Sequence, residues 1–190
     1  MSREVQPTNG ITLLVFLITG YVIIFAQARM TFFRDFFGAQ PDLLPGMIVY
    51  AAMAFKLETV MVCVCIFGLL FDSFSMNPLG TTVVTLGVIG FVASRYRELL
   101  LSEQFTTHWV LGLIASAVAP IIAYAVVRLS DLKPLISAGS ALQWAIMTAG
   151  GGIVTPLWFK VFNRLDEALR FKEIPESTFR PDRQIARGRH

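Results

Sequence analysis

The chain has 190 residues, of which 55% are hydrophobic and only 15% are charged, and its formal net charge is +3. A soluble domain normally carries about a quarter charged residues. Because the missing charge leaves apolar windows that are too many and too long for one soluble core, the lipid bilayer is the expected solvent.

Six apolar segments follow one another, and we predict that each forms a helix. They are continuously apolar rather than alternating, which favours helices over the strands of a barrel. The sequence therefore predicts an all-α integral membrane protein, with a six-transmembrane-helix bundle over residues 1–163 and a basic cytoplasmic tail over residues 164–190. The predicted helices cover residues 11–28, 43–55, 59–71, 79–93, 109–127 and 135–162.

The second and third segments are short, since 13 residues reach about 20 Å and a hydrocarbon core measures about 30 Å. They could form one long bent helix or two helices in a hairpin. Lys56 and Glu58 separate them and cannot face each other on a helix. A single span would leave two separate charges in lipid, at a cost of several kcal/mol. We therefore predict the hairpin, with Asp42 and Asp72 at its far end.

Lysine and arginine are distributed unevenly over the two sides of such a bundle. With six spans, 12 of the 16 basic residues lie on the side of the termini and four lie on the other side. Because cytoplasmic loops are the basic ones, both termini are predicted to be cytoplasmic. In a five-span arrangement the basic residues are also unevenly distributed, and only the N-terminus moves to the outer side. This rule therefore does not determine the number of spans.

Four phenylalanines in the loop after the first segment recur at i, i+1, i+4 and i+5. On a short helix this spacing forms one aromatic face. The face is typical of an aromatic belt at the membrane interface, and a docking surface for an extracytoplasmic partner is the alternative. The four residues are Phe32, Phe33, Phe36 and Phe37.

Small residues recur at four-residue steps in the fifth and sixth segments. Such stripes allow helices to approach closely in lipid, within one fold or between partners. In the sixth segment, residues 150–152 are all glycine and Pro156 follows, which predicts a bend or break near the cytoplasmic end. The candidate packing or partner-contact residues are Gly112, Ser116, Ala141, Ala145 and Ala149.

Two carboxylates flank the predicted hairpin. Asp42 precedes the second helix, where exposed amides and the helix dipole favour a negative charge, so we expect it to cap that helix. Asp72 ends the third helix, where the dipole disfavours it. We predict that Asp72 accepts hydrogen bonds from amides of the 73–80 turn or the fourth helix, with Pro78 opening that helix. A contact with a ligand is the alternative.

Reactive groups do not converge in the sequence. The two histidines are His108, at a segment boundary, and His190, and no Ser-His-Asp set or metal-ligand spacing falls within a span. Cys63 and Cys65 point to nearly opposite sides of a helix. We predict a protein that is not an enzyme, with no cofactor, no metal and no nucleic-acid partner. A membrane enzyme acting on lipid head groups is the alternative class.

Several short motifs resemble the MreD family of bacterial rod shape-determining proteins. A Pro-Asp pair precedes two leucines at the second segment, and a G-x-x-x-D segment is followed within ten residues by Pro-Leu-Gly. The last segment ends in an apolar-Pro-aromatic-basic pattern, while the tail after Ile174 has no counterpart in the family pattern. The motif residues are Pro41, Asp42, Gly68, Asp72, Pro78, Gly80 and Pro156.

The resemblance implies a scaffold of the cell-elongation complex, which synthesises peptidoglycan in the bacterial cytoplasmic (inner) membrane. It implies MreC as a partner, with MreB, RodA and its penicillin-binding protein reached directly or through MreC. It also implies a fold similar to the substrate-binding components of energy-coupling-factor transporters, so a vitamin-binding transport subunit is the alternative. A vitamin binder would have a pocket open to the outside, whereas a scaffold would expose apolar or small-residue grooves.

Overall fold

The structure is a computed structural model, and it describes residues 10–29, 42–75, 78–97, 105–130 and 138–170. These residues form helices, as predicted, and each helix overlaps one predicted segment. They are α1 (Gly10–Arg29), α2 (Leu44–Ala54), α3 (Leu57–Phe74), α4 (Thr81–Arg95), α5 (Phe105–Leu129) and α6 (Ala138–Arg170).

Four of the six helices, α1, α3, α5 and α6, are long and apolar enough to cross a membrane. α3 extends beyond its predicted ends to 18 residues, whereas α4 has 15 residues and α2 has 11. At about 1.5 Å per residue, α2 spans roughly 16 Å, about half of a hydrocarbon core.

α2 is the centre of the bundle, because it contacts each of the other five helices. Nine of its 11 residues are buried. Protein rather than lipid therefore surrounds most of α2, and a helix shorter than the hydrocarbon core can lie at membrane depth.

The α2–α3 connection is a hairpin, as predicted. Phe55 and Lys56 both have extended backbone conformations between the two helices. A Cβ added at Gly90 of α4 would lie 3.1 Å from Cγ2 of Ile48 in α2 and 3.6 Å from Cγ2 of Val64 in α3. A straight helix would separate residues 48 and 64 by about 24 Å, so α2 and α3 must fold back on each other.

Aromatic rings fill the space around α2. The ring of Phe16 in α1 is fully buried and lies 5.3 Å from the ring of Phe55 and 5.7 Å from that of Phe67, measured between centroids. On its other side, Phe162 of α6 lies 5.2 Å from Phe16 and stacks at 4.8 Å on Tyr50. Tilted and edge-on contacts of this kind add to the apolar burial. The core therefore joins α1, α2, α3 and α6 through one aromatic cluster.

Residues 150–152 and Pro156 predicted a bend or a break in the sixth helix, and the break is wrong. α6 runs without interruption from Ala138 to Arg170, through the three glycines and Pro156. Membrane helices tolerate such residues because neighbouring helices support the backbone, and Pro156 is buried. α6 also continues past residue 163 into the first residues of the predicted tail, and Leu165 packs against the core.

Candidate functional site

The G-x-x-x-D motif forms the face of α3 that packs against α4. Gly68 and Asp72 lie four positions apart and therefore share one side of the helix. A Cβ added at Gly68 would lie 2.8 Å from both the backbone nitrogen and the Cα of Val83. Because a backbone cannot give way as a side chain tip can, only glycine allows α3 and α4 to approach this closely.

Asp72 caps the start of α4. Its side chain is 2% exposed, and its Oδ2 accepts a hydrogen bond of 2.7 Å from the amide of Gly80. The amide nitrogen of Thr82 lies 3.2 Å from both carboxylate oxygens. A helix start leaves such amides without internal partners, and its dipole favours a negative charge there. The hydrogen bonds that the sequence predicted for Asp72 are therefore present.

The turn before α4 uses Pro78 differently from the prediction. α4 begins at Thr81, so Pro78 lies three residues before the helix and does not open it. The carbonyl of Pro78 instead accepts a hydrogen bond of 3.1 Å from the amide of Thr81. Gly80 has a φ of 97°, a left-handed conformation that side chains disfavour. Proline and glycine thus shape the turn that brings the Gly80 amide to Asp72.

Asp42 links the end of α1 to the start of α2. It accepts a hydrogen bond of 3.0 Å from the amide of Leu44 and another from the side chain of Gln27. We expected Asp42 to be the N-cap residue of α2, but Leu43 occupies that position. Asp42 therefore accepts its hydrogen bond from Leu44, the first residue of the helix, while lying one position before the N-cap. Burial raises the pKa of the Asp42 carboxyl, and the two hydrogen bonds oppose this shift.

The candidate residues on α5 are used inside the fold. Gly112 and Ser116 are buried, and both face α6. A Cβ added at Gly112 would lie 2.8 Å from the carbonyl oxygen of Gly151, and one added at Gly151 would overlap the Ser116 hydroxyl. This stripe therefore joins α5 to α6 and is not available to a partner helix.

Thr155 is a junction residue that no sequence pattern predicted. It is fully buried, and its hydroxyl donates a hydrogen bond of 2.8 Å to the carbonyl of Gly151. A Cβ added at Gly46 of α2 or at Gly112 of α5 would overlap the Thr155 side chain. Two glycines on different helices thus form the notch that holds Thr155 of α6. The sequence signals were the two glycines themselves, Gly46 and Gly112, each inside an apolar helix.

The candidate alanines on α6 have the opposite environment. Ala141, Ala145 and Ala149 are all exposed. Nearby Leu142 is 62% exposed and Trp144 is 44% exposed, although the Trp144 indole donates a hydrogen bond of 2.9 Å to the carbonyl of Ala117. The first half of α6 therefore presents an uncovered surface with a stripe of small residues. We call residues 141–149 the α6 stripe.

Two clefts open on the surface of the described residues. The first has a volume of about 420 Å³ and lies at the α2–α3 turn and the end of α4, between Phe55 and Arg97. The second has a volume of about 300 Å³, is almost wholly apolar, and lies between α4 and α5 with Val49 at its base. Neither cleft includes Asp42 or Asp72.

Other predicted residues lie outside the described residues. The aromatic loop and the first motif residue belong to this group, as does the tail beyond Arg170. The candidate residues concerned are Phe32, Phe33, Phe36, Phe37 and Pro41.

The sequence model of one family, described as rod shape-determining protein MreD, matches residues 8–165 of the chain. The chain belongs to the MreD family. The matched region contains α1 to α5 and most of α6. MreD is a shape-determining family rather than a known family of enzymes, and it points to a role in rod-shape determination. No curated protein and no solved structure matches the chain.

Membership of the MreD family and four membrane-capable helices together indicate a multi-pass membrane protein. The family belongs to the shape-determining system, which implies associated shape proteins. Within the described residues, no three His, Cys, Asp or Glu side chains come together as metal ligands. The two MreD motif residues on α3, Gly68 and Asp72, are instead used in packing and capping inside the fold.

Proposed function

We propose that this MreD-family protein is a non-enzymatic scaffold of the cell-elongation complex in the bacterial inner membrane. In this role it crosses the membrane six times, with both termini in the cytoplasm. It binds MreC, and it connects with MreB, RodA and the penicillin-binding protein directly or through MreC. Its membrane-embedded surface, rather than a reactive site, performs the function.

The observation that carries the proposal is the exposure of the α6 stripe in a chain of the MreD family. The equivalent stripe on α5 is consumed by α6, because Gly112 and Ser116 pack against Gly151 and Thr155. Small residues that face lipid allow a second helix to approach its backbone closely. The α6 stripe is therefore the candidate contact for a transmembrane helix of MreC.

Two contacts support a common side for both termini. The Thr12 hydroxyl, near the start of α1, lies 3.4 Å from Oδ1 of Asp166, near the end of α6. At the other end of α1, Gln27 binds Asp42 at the start of α2. α2 then runs back towards the Thr12 end and reaches Lys56 there. The basic residues at this end agree with a cytoplasmic orientation.

A vitamin-binding role finds less support. The interior around α2 is filled by aromatic rings, and the ring contacts of Phe16 leave it fully buried. The two clefts described above lie away from the Asp42 and Asp72 end, which is the outer end in the proposed orientation. We therefore propose no transport function.

The test is co-purification of MreC with the full-length chain in a mild detergent. Ala145→Phe places a large ring on the α6 stripe, and we expect MreC recovery to fall at least tenfold while thermal stability is unchanged. Ala125→Phe is the matched control, because Ala125 is also an exposed alanine but lies on α5. Recovery of MreC with Ala145→Phe at the wild-type level would exclude the α6 stripe as the contact.

Membrane topology has its own test. Tags placed before residue 1 and after residue 190 should both be inaccessible to impermeant reagents in intact cells. Both should become accessible after the inner membrane is opened. Opposite accessibility of the two tags would contradict the six-span arrangement.

A further inference from the structure

The cleft at the end of α4 is lined by three basic side chains from two separate parts of the chain. Lys56 comes from the α2–α3 turn, while Arg95 is the last residue of α4 and Arg97 lies just beyond it. Arg97 donates a hydrogen bond of 3.2 Å to the carbonyl of Phe55, which joins the two segments. We call this volume of about 420 Å³ the basic cleft.

The cations of the basic cleft remain available to an anion. Arg97 has five N–H donors, and the hydrogen bond to Phe55 uses one of them. Partial burial lowers the pKa of Arg97, which reflects a guanidinium separated from water. Among the described residues that line the cleft, none is a carboxylate; the nearest described acid in sequence, Glu58, is exposed in the first turn of α3.

Further polar groups in the basic cleft suit an anion with several acceptor oxygens. Ser94 lines the cleft, and its hydroxyl is buried with no hydrogen-bond partner in the described residues. α3 begins at Leu57, and the side chain of its N-cap residue, Lys56, makes no capping hydrogen bond to its first amides. A phosphate group needs several donors and positive charge, and this arrangement offers both.

Apolar side chains complete the lining of the basic cleft. Leu57 is 41% exposed and Phe91 is 53% exposed, and both border the cleft. Leu57 begins a membrane-capable helix, so these surfaces continue into the region of the acyl chains. A soluble phosphate would gain nothing from them, whereas a phospholipid would cover them with its chains.

We propose that the basic cleft binds the headgroup of an anionic phospholipid. The phosphate contacts Lys56, Arg95 and Arg97, and the acyl chains lie along Leu57 and Phe91. Basic pockets at the ends of transmembrane helices bind anionic headgroups in this way. The bound lipid would connect the α2–α3 turn to the end of α4, and would therefore stabilise the hairpin.

The test uses the purified full-length chain in a neutral detergent, with dioleoylphosphatidylglycerol as the probe. Native mass spectrometry counts the lipid retained, and tryptophan fluorescence reports thermal unfolding. We expect the chain to retain one phosphatidylglycerol in preference to dioleoylphosphatidylcholine, and its unfolding temperature to rise with phosphatidylglycerol alone. Lys56→Gln with Arg95→Gln should weaken this binding by about fivefold for each cation removed.

Matched variants separate charge from folding. Lys56→Arg with Arg95→Lys retains both charges and should retain the lipid, while Arg128→Gln removes an exposed cation of α5 outside the cleft and should also retain it. If the double glutamine variant does not fold, Arg95→Gln alone changes one exposed side chain and should still lose about fivefold.

Three results would each overturn the proposal. One is wild-type retention of phosphatidylglycerol by the glutamine variants, and another is equal retention of the two lipids by the wild type. The third is equal stabilisation by inorganic phosphate at the same concentration, which would indicate a site for a soluble anion.

Discussion

The carboxylate of Asp72 lies 2.7 Å from the amide nitrogen of Gly80, although eight positions separate the two residues. This bond means that α3 supplies the cap of α4. Asp72 lies near the C-terminus of its own helix, where the dipole disfavours a negative charge, and the N-terminus of α4 offsets that penalty. The pair therefore fixes the α3–α4 turn through one buried carboxylate.

Asp72→Asn should lower the free energy of unfolding by about 1–3 kcal/mol. Asparagine retains one oxygen acceptor, but its NH₂ group would face the backbone amides of Gly80 or Thr82. Thermal unfolding in detergent measures the loss. Ser73→Ala is the control, because Ser73 is exposed and bonds only within its own helix, to the carbonyl of Leu69, among the described contacts. An equal effect of the two substitutions would show that the capping bonds contribute nothing.

Gly68→Ala should destabilise the protein by about 1–3 kcal/mol, as overpacking of a tight contact usually does. The added Cβ would lie 2.8 Å from the backbone of Val83, so α3 and α4 would have to separate. Gly87→Ala is the matched control on α4. Its Cβ would meet Cγ1 of Val64 at 3.8 Å, an ordinary contact, and alanine favours a helix by about 1 kcal/mol over glycine. The prediction is contradicted if both variants shift the unfolding temperature in the same direction.

A double-mutant cycle can test the notch around Thr155. Gly46→Ala should destabilise the protein, because its Cβ overlaps the Thr155 hydroxyl, whereas the remaining neighbours lie at 3.3 Å. Thr155→Ala removes that hydroxyl, so the two changes should show a favourable coupling of about 1–3 kcal/mol. Gly112→Ala should show no such rescue, since its Cβ would still lie 2.8 Å from the Gly151 carbonyl oxygen. If Gly46→Ala and Gly112→Ala showed equal coupling to Thr155→Ala, this geometry of the notch would be excluded.

Asp42 should give the stability a dependence on acidic pH. Its pKa in the fold is raised above the usual 3.8, chiefly by burial. A raised pKa means that the folded state binds the proton more tightly than the unfolded state. The stabilising contribution of the protonated carboxyl is therefore complete below pH 3.8 and is lost as the pH rises through the folded value.

Unfolding temperatures measured across the acidic range test this prediction. Asp42→Asn keeps an oxygen acceptor for the Leu44 amide and cannot ionise. The unfolding temperature of this variant should therefore lack the part of the pH dependence that comes from Asp42. Gln27→Leu removes a hydrogen bond that lowers the Asp42 pKa, so the loss of stability should move to higher pH. A wild-type profile that matches Asp42→Asn would refute the prediction.

Much of the fold was predictable because the bilayer imposes strict conditions on a sequence. Long apolar runs must form helices, since lipid cannot satisfy backbone amides, and all six helices were located in this way. Lys56 and Glu58 marked the hairpin, because two separate charges cannot remain within one span. The partner for Asp72 was also predictable, since a carboxylate near a helix C-terminus requires donors from elsewhere.

Tertiary structure alone decided how the small residues are used. Gly112 and Ala145 belong to similar stripes in the sequence, yet Gly112 is buried against α6 and Ala145 is exposed. In lipid, a small residue is compatible with either environment, so composition cannot choose between them. Of the predicted bend or break near Pro156, the break is absent, because packing by neighbouring helices supports a backbone that proline would interrupt in isolation.

The sequence by itself determined the solvent, the number of helices and the turn between α2 and α3. Each of these depends on the free energy of transferring charged or amide groups into hydrocarbon, and that free energy is set by the residues of the segment itself. Only the tertiary structure decided that the short α2 is central, that Thr155 occupies the notch between two glycines, and that cations from two separate parts of the chain line one cleft. Those features depend on which helices are neighbours, and the distances between helices are not encoded in any single segment.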